Sequence, residues 1–200
     1  MRYSTNLFLA STAYYYYYIL LAHSTTTLTK VIHGRQQNPT NMVKITSATN
    51  HCLIVPKDAH TNIGDSEHPG GMTTYCTSQG RSSPEQGLLP DNFWSQVAYT
   101  TGTGVKGGKY VQLTGCIRPE TVDRLNPGDA GGQYDSNGGP GGRGNPEGST
   151  CAGYSSYVEL IEPAGPRACI RCCQDPTDCP LDKDTQGCPN VIPGNYFNCA

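Results

Sequence analysis

Charge is scarce in this chain. Asp, Glu, Lys and Arg make up 15% of 200 residues and leave a net charge of −2. A nucleic-acid binder carries a stripe of Lys and Arg for the phosphates, so that class is excluded. Helical patterning is missing as well. Beyond the N-terminal segment, no window long enough for three turns keeps a 3.6-residue apolar period. Beyond that segment there is also no apolar run approaching the ~20 residues of a membrane span, and no C-terminal anchor signal. The one Asn-x-Thr of interest, Asn38-Pro39-Thr40, has proline where glycosylation forbids it.

Glycine, proline and cysteine are plentiful instead, at 24, 15 and 10 residues. Hydrophobic residues reach only 36%, a thin core for this length, and a thin core calls for covalent help.

The N-terminus indicates where that help could form. Arg2 gives a short positive region, Leu7–Ala22 is uncharged and mainly apolar, and Ala22-His23-Ser24 places small residues at a cleavage after Ser24. Residues 1–24 are therefore predicted to be a signal peptide and the mature chain to be secreted and extracellular, with no membrane span. The leader would take six of the thirteen tyrosines with it. Residues 25–42 read as a flexible lead-in or propeptide, and 43–199 as a single disulfide-rich globular domain.

The compartment bears on the stretch RACIRCCQDPTDCP, Arg167–Pro180. Cys169-x-x-Cys172 has zinc-ligand spacing. On an oxidising route an even number of cysteines reads instead as a disulfide framework. The ten are Cys52, Cys76, Cys116, Cys151, Cys169, Cys172, Cys173, Cys179, Cys188 and Cys199. Sequence does not choose their pairing. Adjacent cysteines rarely bond each other, so Cys172 and Cys173 are expected to reach opposite ways, with Pro176 and Pro180 in the turns that follow.

Short strands are predicted on both sides of Ser47–Asn50, at Phe93–Tyr99, at Lys109–Ile117 and at Tyr157–Ile161. The fold class is mainly β: a small disulfide-stabilised sandwich or barrel with long Gly/Pro-rich loops. Asn126–Ser149, rich in glycine and with three prolines, reads as one of those loops.

Chemistry-bearing patterns are weak. His60, Ser66 and His68 offer a base and a nucleophile for a hydrolase, but no Gly-x-Ser-x-Gly elbow surrounds Ser66. His51, His60 and His68 with Asp58 or Asp65 offer imidazole and carboxylate to a metal, at spacings that fit no clamp. A cut after Ala22 would expose His23 as an N-terminal copper chelator; Leu20 disfavours that cut. Asp135-Ser136-Asn137-Gly138 begins like a calcium loop and then fails at Gly139 and Pro146. No metal or cofactor is assigned. Trp94, Tyr99, Tyr110, Tyr154 and Tyr157 could stack on sugar rings, although aromatics in strands more often fill cores. Trp94, Tyr110, Tyr157 and Asp135 are the candidate ligand-binding residues.

Four strings go further: HTNIGDSEHPGGM, GGKYVQLTGCIRPET, GGQYDSNGGPGGRGNPEGSTC, and the long C-terminal YVELIEPAGPRACIRCCQDPTDCPLDKDTQGCPNVIPGNYFNC. Through them the chain, over about residues 43–199, resembles a group of small secreted cysteine-rich proteins of mushroom-forming fungi. The resemblance implies a secreted, disulfide-stabilised protein of the effector-like or cell-surface kind and transfers no catalytic residue. The resulting expectation is a non-catalytic protein acting outside the cell or at its wall. Its partner would be a wall polysaccharide or a host extracellular protein. A carbohydrate-binding module is the alternative, and a secreted hydrolase the third reading.

Overall fold

The computed structural model describes residues 39–137 and 148–199. The predicted leader and most of the lead-in lie outside the described residues, as do residues 138–147 of the glycine-rich stretch.

Among the described residues ten strands form two five-stranded sheets. In chain order they are β1 (Met42–Ser47), β2 (Asn50–Pro56), β3 (Met72–Cys76), β4 (Gly87–Leu88), β5 (Trp94–Thr103), β6 (Lys109–Ile117), β7 (Gly132–Asp135), β8 (Thr150–Cys151), β9 (Ser156–Glu162) and β10 (Arg167–Cys173). The first sheet runs β4-β3-β2-β1-β8 and the second β5-β6-β10-β9-β7. Among the described residues, helix is limited to α1 (Ile63–Ser66), α2 (Cys188–Val191) and short 3-10 turns. The mainly-β expectation holds, and of its two forms the sandwich-like pair of sheets is the one adopted, not a closed barrel.

Alternation sets the inner face of the second sheet. Val111 and Leu113 of β6 lie opposite Cys172 and Ile170 of β10, which continue to Tyr157 and Glu159 of β9. All of these except Glu159 join Val43, Ile45, Leu53 and Val55 of the first sheet in one buried hydrophobic cluster. Each large apolar side chain removed from water there contributes about 1.5–3 kcal/mol. The outer face is buried too. Val158, Leu160, Cys169 and Cys173 pack with Cys179, Cys188, Val191 and Ile192, so the C-terminal segment roofs the sheet. Gln112 Nε2 and Thr114 Oγ1 donate to the carbonyls of Pro193 and Asn195, fixing the far end of that roof.

Two expectations need correcting. Arg167–Cys173, which was not among the predicted strands, is a full strand paired along its length with both β6 and β9. Asn126–Ser149 is not loop throughout, because Gly132–Asp135 adds to the edge of β9 as β7. In both stretches the strand has apolar or cysteine contacts on two faces, or polar residues that find buried partners. The polar-out alternation that marks a half-exposed strand is therefore absent.

All ten cysteines are paired, which answers the zinc-or-staple question for Cys169 and Cys172. Cys52–Cys76 joins directly opposite residues of β2 and β3. Cys172 points inward to Cys151 of β8 and ties the two sheets, while Cys173 points outward to Cys179. Cys169–Cys188 and Cys116–Cys199 rivet the roof to the second sheet. The adjacent pair thus reaches opposite ways, because consecutive residues of a strand face opposite sides.

Candidate functional site

The roof leaves β5 as the open edge of the second sheet. Its ten residues, WSQVAYTTGT, hold no charge and no proline, and most are exposed. Register places Tyr99 beside Leu113 and Thr101 beside Val111, so Val97, Tyr99 and Thr101 face the same way as the inner core. At this edge the first sheet no longer covers them fully. Tyr99 keeps 41% of its surface, and Val97 and Tyr154 are only partly buried against the core cluster. Burial raises the Tyr154 phenol above its ordinary pKa, and the neighbouring Tyr99 adds to the effect. Val97, Tyr99 and Tyr154 therefore form a small uncharged strip along the strand.

Trp94 begins that strand but serves the interior. Its Nε1–H donates to His51 Nε2 at 3.0 Å, and its ring meets Phe93 edge-on at 5.5 Å. His51 lies fully buried in β2. Burial lowers its pKa to about 4, against the weaker upward pull of the Ser47 and Ala48 backbone. A histidine held neutral, with Nε2 occupied by an indole, is a link between the sheets and not a metal ligand.

The other proposed constellations come apart. Ser66 is buried, and its hydroxyl donates to the Ile63 carbonyl at 2.7 Å while the Tyr134 hydroxyl sits 2.7 Å from the same oxygen. With its proton given to a backbone carbonyl, buried Ser66 hands none to His60 or His68 as an activated nucleophile would. His60 and His68 are exposed, and His68 Nδ1 lies near its neighbour's Pro69 carbonyl. The hydrolase reading is withdrawn on that geometry. Asp58 and Asp65 are exposed as well. Among the described residues no three His, Cys, Asp or Glu side chains gather at ligating separation.

The candidate ligand-binding residues also separate. Tyr157 is fully buried with its hydroxyl bonded to Ser149, so its ring offers no face to a sugar. Tyr110 stands on the outer face, where the Arg171 guanidinium lies 4.5 Å above its ring. Arg171 is itself held by Gln112 Oε1 and the Asp178 carbonyl. Asp135 is buried and accepts from Asn137 N at 2.6 Å and Gln133 Nε2 at 2.9 Å. Of the aromatic group only Trp94, Tyr99 and Tyr154 share the β5 edge, and Trp94 only in part.

Sequence reading missed Glu159. The pairing of β1 with β2 reaches only to Lys44 opposite Cys52, so the N–H of Ile54, two residues further on, lacks a strand partner there. Glu159 crosses from β9 and accepts that N–H at 3.0 Å. It is wholly buried, and burial raises its carboxyl well above the ordinary range, with the Ile54 donor opposing. The signal was present: Glu159 is in phase with the core residues Tyr157 and Ile161.

An open cleft of about 390 Å³ lies at one end of the second sheet, rimmed by Pro119, Pro127, Pro163 and Pro166 with Arg118 and Glu120. Ser95 and Ile117 complete its lining. Comparison with protein-family models, with curated proteins and with solved structures finds no match.

Proposed function

We propose that this is a secreted protein that acts outside the cell, at a wall or on a host surface, by binding and not by catalysis. The supporting observation is the pairing of all ten cysteines into five bridges, four of them meeting the second sheet. Such a framework belongs to oxidising compartments, where small domains need it. The resemblance to secreted fungal proteins points the same way. The test is non-reducing mass spectrometry of protein recovered from culture medium. The expected mass is about 10 Da below the all-thiol chain, two hydrogens for each bridge, with the N-terminus beyond residue 24. Protein retained in the cell with free thiols would refute the reading.

A second reading, binding of a wall polysaccharide, is favoured by the strip of Val97, Tyr99 and Tyr154. An uncharged strand with an exposed phenol ring suits the apolar faces of a sugar chain. Incubation with insoluble chitin, β-glucan or cellulose should deplete the protein from solution, and Tyr99→Ala should reduce the depletion severalfold. Full recovery in the supernatant with all three polymers rules this second reading out while leaving the first intact.

A further inference from the structure

The side-chain amide of Gln133, on the edge strand β7, sits among oxygens. Its Nε2 lies 2.9 Å from Asp135 Oδ2, 3.0 Å from Asp184 Oδ1 and 3.2 Å from the Leu181 carbonyl. Three acceptors compete for two hydrogens. The other end of the same amide has the opposite problem. Gln133 is only 4% exposed, and its Oε1 is buried with no hydrogen-bond donor. The surroundings thus hold more acceptors than the amide can serve and no donor for its oxygen. A buried amide with too many acceptors at one end and no donor at the other is costly to fold around.

Charge sharpens the imbalance. Glu67, just past α1, borders the same place: a Cβ on Gly132 would come within 3.0 Å of its Oε1. Its carboxyl is raised to about 7, by burial first, then by Asp184 and Asp135. Neither Glu67 nor Asp184 has an ion pair among the described residues. The segment carrying Asp184 reads Asp182-Lys183-Asp184-Thr185-Gln186-Gly187, with carboxylates at alternate positions and glycine at the sixth, as calcium loops begin.

We infer that Asp135, Asp184, the Leu181 carbonyl and the Gln133 side-chain carbonyl form a calcium site, with Glu67 supplying further negative charge beside it. Rotation of the Gln133 amide by half a turn exchanges Nε2 for Oε1 and brings four oxygens of three chemical kinds to one point. That arrangement is unfavourable by itself and favourable around a hard cation. Two carboxylates, an amide oxygen and a peptide carbonyl match the mixed, irregular oxygen set that calcium accepts; magnesium prefers a stricter octahedron that keeps its water. The ion would tie β7 to the segment between Cys179 and Cys188, a stretch that the Cys173–Cys179 and Cys169–Cys188 bridges bracket. The inference stands apart from the polysaccharide reading and does not need it.

The test is calorimetric titration of calcium chloride, and separately magnesium chloride, into the full disulfide-bonded chain. One calcium site is expected with a Kd of about 10⁻⁴–10⁻³ M, the range of extracellular modules, with weaker or no binding of magnesium. Asp184→Asn should weaken calcium binding roughly tenfold or more by removing ligand charge. Gln133→Glu guards against a variant that simply unfolds. At a cation site it should tighten binding and make thermal stability depend on added calcium. If Gln133 only tethers the loop, the variant will be destabilised and indifferent to calcium. Absence of heat from the wild-type chain up to about 10 mM calcium, ten times the weak end of that range, overturns the inference. So does calcium binding that Asp184→Asn leaves unchanged.

Discussion

His51 should make the fold acid-sensitive, and the one tryptophan should report it. The folded protein keeps the imidazole neutral down to about pH 4, whereas the unfolded chain takes up the proton at the ordinary 6.5. Between those values the unfolded state binds more protons, so stability falls as pH falls. The window spans roughly 2.5 pH units at about 1.4 kcal/mol each, about 3.4 kcal/mol when fully crossed. The structural cause is plain. Protonation would place an N–H on Nε2 facing the Trp94 Nε1–H, two donors 3.0 Å apart in a dry core. His51→Gln retains an acceptor for the indole and removes the titration. The assay is urea unfolding at intervals from about pH 7.5 to about pH 4, with disulfides intact, followed by Trp94 fluorescence. Other groups titrate in this range, so the quantity to compare is wild-type stability minus that of the variant. That difference should fall by about 1.4 kcal/mol per pH unit below 6.5. Parallel curves for the two proteins would refute the account of His51, as would a titration of Trp94 emission near pH 6.5 in the native state.

Glu159 should behave in the opposite sense. Its carboxyl is raised, so the folded state holds the proton more tightly and stability is lost as pH rises above the ordinary carboxyl value, at about 1.4 kcal/mol per unit up to its own pKa. Glu159→Gln should remove that slope while still accepting from Ile54, whereas Glu159→Ala should cost about 2–4 kcal/mol through an orphaned N–H and a cavity. Denaturant curves of the three proteins at two pH values decide it. Among the bridges, removing Cys116–Cys199, which spans 83 residues, should cost about 4.5 kcal/mol in chain entropy, against about 2 kcal/mol for Cys173–Cys179, which spans six. Paired Cys→Ser variants compared by thermal unfolding test that order. Gly115→Ala should cost about 1–3 kcal/mol, because its Cβ would meet the Gln96 carbonyl oxygen across the β5–β6 ladder; a neutral effect in a denaturant titration would show that the ladder yields there.

What could be read in advance follows from how each strand is covered. β6 was legible from Lys109 to Ile117 because Tyr, Val and Leu dominate it and turn formers bound it. β1, β2 and β5 were legible for similar reasons. β10 was not, because its cysteines read as staples while Ala168, Ile170 and Cys172 form a core face and Cys169, Arg171 and Cys173 a second covered face. β7 was hidden by glycine on both sides. The staple pattern was legible in outcome but not in connectivity, since partners such as Cys151 and Cys172 meet only once two sheets have stacked.

The same reasoning explains why the polar constellations misled. Proximity in sequence grouped His60, Ser66 and His68, but a polar side chain's role here is decided by which sheet or roof comes to lie over it. Ser66 goes under Tyr134, His51 under Trp94 and Glu159 under β2, and each loses its freedom to react by gaining a structural partner. Gln133 differs in its surroundings: its amide oxygen is covered without a partner while its amide nitrogen faces Asp135, Asp184 and the Leu181 carbonyl. An interior that holds several polar groups by bonds crossing between sheets has placed this acceptor-rich amide site on a sheet edge, where its nitrogen meets the Leu181 carbonyl and Asp184 of the C-terminal segment. That edge, and the uncharged β5 on the opposite side of the same sheet, are where an external ligand has most to offer this fold.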